Sequence, residues 1–161
     1  MSEIRLDPMA SETGITAAPP FVFMAGILTA VLLGWLYPLG FGLPTAVRFG
    51  IAIALVLPLP LIMPFVVASF KRIRSDYDVQ KMPLSLATDG PFRFSRNPGY
   101  VAFFLFFLGI AFFLDNVYAL ILVLVGVVFV HFKVVLKEEA LLENRFGRDY
   151  LDYKSRVRRW I

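Results

Sequence analysis

Apolar and polar positions in this chain segregate into long blocks. Residues 21–37, 46–70 and 99–136 are almost wholly apolar, and the stretches between and after them carry most of the charge. A membrane-crossing helix needs about 20 consecutive apolar residues, so the first two blocks each predict one span. The third block holds 38 residues, which as a helix is about 57 Å, or roughly two bilayer cores. Its one polar interruption near the middle is Asp115-Asn116. The pattern therefore predicts a helical hairpin, 99–114 and 117–136, with that pair at the far tip. The expectation is an all-α integral membrane protein of about four transmembrane helices in a single domain, 21–161.

Local features refine each block. Residues 1–20 read as a polar N-terminal tail stopped by Pro19-Pro20, without the basic start of a cleavable leader. Gly26, Ala30 and Gly34 put small residues on one face of the first span, which permits close helix contact. Pro58, Pro60 and Pro64 predict a kink or local break in the second span, because each removes a backbone donor. Six basic residues in 71–96 and seven in 137–161 place the loop 71–98, the C-terminal segment and both termini in the cytoplasm. Arg48 is the one cation left toward the outer side.

The C-terminal segment, 137–161, predicts two more helices. Lys137-Glu138-Glu139 extends the fourth span into the interface, and Phe146-Gly147 marks a helix end. Beyond it Tyr150, Tyr153, Val157 and Trp160 recur at helical spacing opposite Asp149, Asp152, Arg156 and Arg159. That is an amphipathic helix, suited to the membrane interface or to covering a cytoplasmic pocket.

Composition narrows the chemistry. The 161 residues are 58% hydrophobic, with 17 Phe and no Cys. This excludes a disulfide framework, a thiol nucleophile and a Cys-based metal site. The single histidine, His131, excludes a multi-histidine metal centre within one chain. The net charge of +4 does not point to nucleic acid, since the basic residues flank the spans.

Three places then stand out. Residues 89–100, DGPFRFSRNPGY, end in Asn97-Pro98, a good helix cap and first turn, just after Arg93 and Arg96. This is either an anion cradle at a helix start or a basic loop with an ordinary cap. Glu138 and Glu139 form a carboxylate pair at the membrane boundary, fit for a cation, for general-base work or for simple solvation beside Lys133 and Lys137. His131 lies about two turns earlier on the same helix face and is either an interface residue or a second candidate base.

The two polar segments together resemble a known pattern. Residues 86–100, Leu-Ala-Thr-Asp-Gly-Pro-Phe-Arg-Phe-Ser-Arg-Asn-Pro-Gly-Tyr, follow T-x-G-P-Y/F-R-x-x-R-H/N-P-x-Y. Glu138-Glu139, Leu142, Phe146-Gly147, Tyr150, Tyr153, Val157 and Arg159-Trp160 follow E-E-x-x-L-x-x-x-F-G-x-x-Y-x-x-Y-x-x-x-V-x-R-W. Both blocks, in this order and separated by a hairpin, resemble the isoprenylcysteine carboxyl methyltransferase and phospholipid methyltransferase superfamily, over about residue 83 to the end.

The resemblance implies an S-adenosylmethionine-dependent integral membrane methyltransferase of the minimal bacterial type, in the inner membrane. Carried over by position, the cofactor site falls on Leu84, Ser85, Leu86, Ala87, Phe92, Arg96, Asn97, Pro98, Gly99 and Tyr100, closed by Glu139. Glu138 and His131 are the catalytic candidates, and no metal is implied. The methyl acceptor implied is lipophilic: a prenylcysteine carboxylate, a lipid amine or a small thiol. Membrane lipids are the expected surroundings; the oligomeric state is left open. Two departures bear on that acceptor. Asn97 stands where many members have His. Val134 stands where prenylcysteine methyltransferases carry an arginine four residues before the first glutamate. A membrane reductase using NADPH and a non-enzymatic accessory protein are the alternatives.

Overall fold

The computed structural model describes residues 19–73 and 85–161. The described residues are helical, without a strand, in the order α1 (Pro19–Leu36), α2 (Thr45–Val56), α3 (Pro58–Ile73), a 3-10 turn (Gly90–Arg93), α4 (Pro98–Phe113), α5 (Val117–Val130), a π turn (His131–Val135), α6 (Leu136–Phe146) and α7 (Arg148–Arg156). Three continuous helical stretches are long and apolar enough to cross a membrane: Pro19–Leu36, Thr45–Arg72 and Val117–Phe146. Pro98–Phe113 is a shorter apolar helix. The all-α membrane architecture is as the hydropathy predicts.

Three expectations are corrected and a fourth holds. Pro19-Pro20 open α1 rather than stop the tail, since proline without an N–H is at home in a first turn. The break predicted in the second span is present, at Leu57 just before Pro58, and divides Thr45–Arg72 locally into α2 and α3; Pro64 lies inside α3 without ending it. The fourth span is not a uniform α-helix through 136, because His131–Val135 form a π turn before α6 begins at Leu136. The amphipathic helix ends at Arg156, so Val157 and Trp160 are not on it. Val157 is extended, with φ −118° and ψ 129°.

α1, α4 and α5 pack around one core, in which Phe23 of α1 meets Phe104 and Phe107 of α4. α2 and α3 lie on α4, α4 on α5, and α5 on α1. Small residues set the close approaches, as packing between lipid-borne helices requires. A Cβ on Gly109 of α4 would come 2.9 Å from the Ala52 carbonyl of α2. On Gly126 of α5 it would meet the Phe23 ring of α1 at 2.8 Å. The predicted small face of α1 is used in the same way: Ala30 is fully buried and Gly26 approaches Leu122.

The hairpin tip is where predicted and holds one end of the bundle together. Asp115 sits at φ +52°, pairs with Arg48 at 3.0 Å and accepts the Phe41 N–H at 2.9 Å. Asn116 caps α5 through Ala119 N and donates to the Ala30 carbonyl at 2.8 Å. Arg48, set apart from the other basic residues in the sequence, thus has an anion beside it.

Candidate functional site at the start of α4

The two polar segments meet at the other end of the bundle. Gly90 turns the chain at φ +56°, and the 3-10 turn that follows buries Phe92 edge-on against Phe70 of α3, 5.4 Å between ring centres. Val66, Ala87 and Phe92 form one small core. That core seats the loop on α3 and delivers Ser95, Arg96 and Asn97 to the start of α4.

The C-terminal chain is tied to this loop along its length. Tyr153 donates its hydroxyl to the Phe92 carbonyl at 2.7 Å. Arg96 N–H donates to the Arg158 carbonyl at 2.9 Å. The Arg159 carbonyl accepts both Asn97 Nδ2 at 3.1 Å and Ser95 Oγ at 3.3 Å. Asn97 therefore stands at the cap position of α4 but makes no side-chain cap. The expected Asn cap is absent because the amide is turned to Arg159.

Glu139 lies at the middle of a buried charge cluster. It is 6% exposed, accepts from Arg159 Nε and Nη2, both at 2.9 Å, and pairs with Arg96 at 3.3 Å. The bond to Glu139 raises the Arg159 pKa, favouring its charged form. Arg96 also meets the Tyr150 hydroxyl at 3.4 Å. Burial, with the Glu139 charge adding to it, pushes the Tyr150 phenol up. Burial alone is the leading cause at Tyr153, which is pushed up to about 12. Arg96 Nε is buried without a partner.

Glu138 points elsewhere. Its Oε1 accepts the Tyr100 hydroxyl at 2.9 Å, its one hydrogen bond among the described residues. Tyr100 stacks on Phe104 at 6.4 Å, and Phe104 in turn meets Trp160 at 5.4 Å. His131 touches Trp160 at 5.8 Å, and its Nδ1 is buried without a partner. The π turn inserts roughly one residue of rotation, ~100°, between His131 and Glu138. The two are therefore not held on one face as a plain helix would hold them.

The structure thus brings together Phe92, Arg96, Asn97, Pro98, Gly99, Tyr100, Glu138 and Glu139, with Ala87 buried below them. Ser85 is exposed and Leu86 half-buried at the loop's edge. Leu84 lies outside the described residues. Val134 is buried in the apolar core, and Lys133 and Lys137 are exposed. Three residues that matter here, Tyr150, Arg159 and Trp160, were read from the sequence as faces of a helix and as matched positions of the second block, but not as site residues. The signal available was Arg159-Trp160 as the last matched pair of the second block, which their distance from Gly147 did not require to be helical.

Chemically, the first turn of α4 presents N–H groups with no side-chain cap, next to an arginine with an unpaired Nε. Glu138 supplies a carboxylate engaged at one oxygen only. Donors for an anionic group and an acceptor for a cation or proton therefore lie on the two sides of Tyr100. A family model described as phospholipid methyltransferase matches residues 51–149, which contain α3, the loop, α4, α5, the π turn and α6. No curated protein and no solved structure matches the chain.

Proposed function

The chain belongs to the phospholipid methyltransferase family, which implies membrane methyltransferase activity, and from that premise we propose that it transfers a methyl group from S-adenosylmethionine to a lipophilic molecule at the cytoplasmic membrane face. The observation that carries this reading is the Tyr100–Glu138 hydrogen bond beside the uncapped start of α4. The residues fit the cofactor's two charges. Its carboxylate suits the N–H groups of Gly99 and Tyr100 and the unpaired Arg96 Nε. Gly99 faces α3: a Cβ there would lie 3.7 Å from Met63 and Val66, an ordinary packing contact. Ser85, Leu86, Ala87 and Phe92 line the same loop.

S-adenosylmethionine supplies an electrophilic methyl group on a sulfonium. The chain's own part is to bind, align and exclude water, which provides most of the acceleration in a displacement of this kind. Phe92 and Tyr100 offer aromatic faces to positive charge. Tyr100 fixes the Glu138 carboxylate through Oε1, and Oε2 takes the proton that an amine or thiol gives up; a carboxylate receives the methyl with no proton to move. Glu139 is turned away into Arg96 and Arg159, so the neighbouring glutamates have different tasks. Val134 leaves apolar the position where prenylcysteine methyltransferases carry an arginine, which favours an acceptor without a carboxylate.

Calorimetric titration of the purified, folded protein with S-adenosylmethionine tests the reading. Saturable binding that Glu138→Gln or Tyr100→Phe weakens is expected. Absence of binding at millimolar cofactor removes the proposal, and binding of NADPH instead reassigns the chain to reductase chemistry.

A further inference from the structure

His131 has no part in the reading above, and its surroundings are unusual. The ring sits at the start of the π turn, edge-on to Phe132 at 4.8 Å and tilted against Trp160 at 5.8 Å. Its Nδ1 is buried and unpaired, a state that native chains mostly avoid because it forfeits the water bond without replacing it. π turns re-aim side chains and occur often at functional places. The neighbours Val130, Val134 and Val135 are all buried and apolar. His131 is therefore flanked by buried apolar residues and carries one unmatched polar atom.

Trp160, which lies beyond the end of α7, packs its ring against the His131 ring. It follows the extended Val157 and is held by ring contacts with Phe104 and His131. Its position depends on the residue before it. Arg159 is anchored through its carbonyl to Ser95 and Asn97 and through its guanidinium to both oxygens of Glu139. The anchors are polar and the ring is not. The ring can leave while the strap stays.

We infer that His131, Phe104 and Trp160 form the methyl-acceptor subsite. Nδ1 of His131 takes a hydrogen bond from an apolar-tailed molecule whose head carries an N–H or O–H donor. Trp160 is the wall displaced on entry, and Glu139 is a positioning residue that sets this wall through Arg159. The subsite rests on the methyltransferase reading of the adjoining Tyr100–Glu138 pair, with which it shares Phe104.

The test uses the full chain in detergent, with Trp35→Phe so that Trp160 alone reports, since the sequence has two tryptophans. The probes are 1-decanol and decyl methyl ether in the same micelles, alike in tail but only the alcohol a donor. Saturable change in Trp160 emission is expected with the alcohol, at a concentration about tenfold below that needed for the ether, the worth of one buried hydrogen bond. His131→Phe is expected to erase that preference. Glu139→Gln is expected to red-shift Trp160 before any probe is added. Equal response of the parent protein to alcohol and ether overturns the subsite, whether or not His131→Phe folds. A preference that survives His131→Phe also overturns it, and unchanged emission in Glu139→Gln overturns the positioning role. Calorimetry with S-adenosylmethionine on the same parent sample separates the two readings. No cofactor binding alongside a clear alcohol preference sinks the methyltransferase reading and the acceptor role, and leaves a donor-binding site.

Discussion

Glu139→Leu and Arg159→Leu cut the same ion pair from opposite ends, and the structure orders their costs. Glu139 is 6% exposed and lies between two guanidiniums. Its removal leaves Arg96, whose side chain is 9% exposed, facing Arg159 with no anion between them. Deleting one partner of a buried pair costs about 3–5 kcal/mol. Arg159→Leu removes two charge-assisted bonds of 2.9 Å, but Glu139 keeps Arg96 at 3.3 Å. The lost partner was also 31% exposed, so water already screened part of the attraction. That loss is about 1–2 kcal/mol. The gap of roughly 2 kcal/mol corresponds to about 30-fold in the folded-to-unfolded ratio. Thermal unfolding in one detergent, followed by circular dichroism, measures it, and trypsin cleavage after Arg156 and Arg158 reports on the C-terminal strap. Equal destabilisation, or a larger effect from Arg159→Leu, would refute the view that Glu139 is the centre of the cluster.

Other residues give independent checks. Tyr153 is pushed up to about 12 from its usual 10.0; the unfolded chain therefore ionises first, and stability falls as pH rises from 10.0 through about 12. Tyr153→Phe is expected to reduce that alkaline loss in a denaturation series, leaving the part due to Tyr150, while costing about 1 kcal/mol at neutral pH for the bond to Phe92. Gly34→Ala drives a Cβ into the Asn116 amide and breaks its bond to Ala30; a loss of about 1–3 kcal/mol in thermal unfolding is expected, whereas Gly50→Ala, which meets nothing, is expected to be neutral or slightly stabilising. Asp115→Asn keeps an acceptor for Phe41 N–H but leaves Arg48, 15% exposed, without its anion; destabilisation of about 3 kcal/mol is expected, largely relieved by adding Arg48→Met.

Much of this architecture is legible in the sequence, because a bilayer makes hydropathy decisive. The spans, the Asp115-Asn116 tip and the helix end at Gly147 each follow from one strong local cause: lipid exclusion of polar groups, or a glycine at positive φ. The motif blocks bring residues 86–100 and 138–160 together for the same reason, since a hairpin returns both to one membrane side. Three features were not legible. The π turn at His131 has no marker such as Gly or Pro; it depends on how α5 and α6 are held by separate neighbours. The turning of the Asn97 side chain to Arg159 is a contest between a local cap and a distant carbonyl, and tertiary contact decides it. Likewise, Tyr150, Tyr153, Val157 and Trp160 keep helical spacing throughout, yet the helix stops at Arg156, where the loop supplies donors for two carbonyls, the Arg96 N–H for 158 and the Ser95 and Asn97 side chains for 159.

The most direct test of the central claim is transfer itself. Purified protein is reconstituted into bilayers of extracted membrane lipid with S-adenosylmethionine labelled in its methyl group, and the lipid phase is counted. The account predicts label in the lipid phase, lost by about a hundredfold or more in Glu138→Gln while that variant stays folded and inserted. An unlabelled lipid phase with the parent protein, or full transfer by Glu138→Gln, would contradict it.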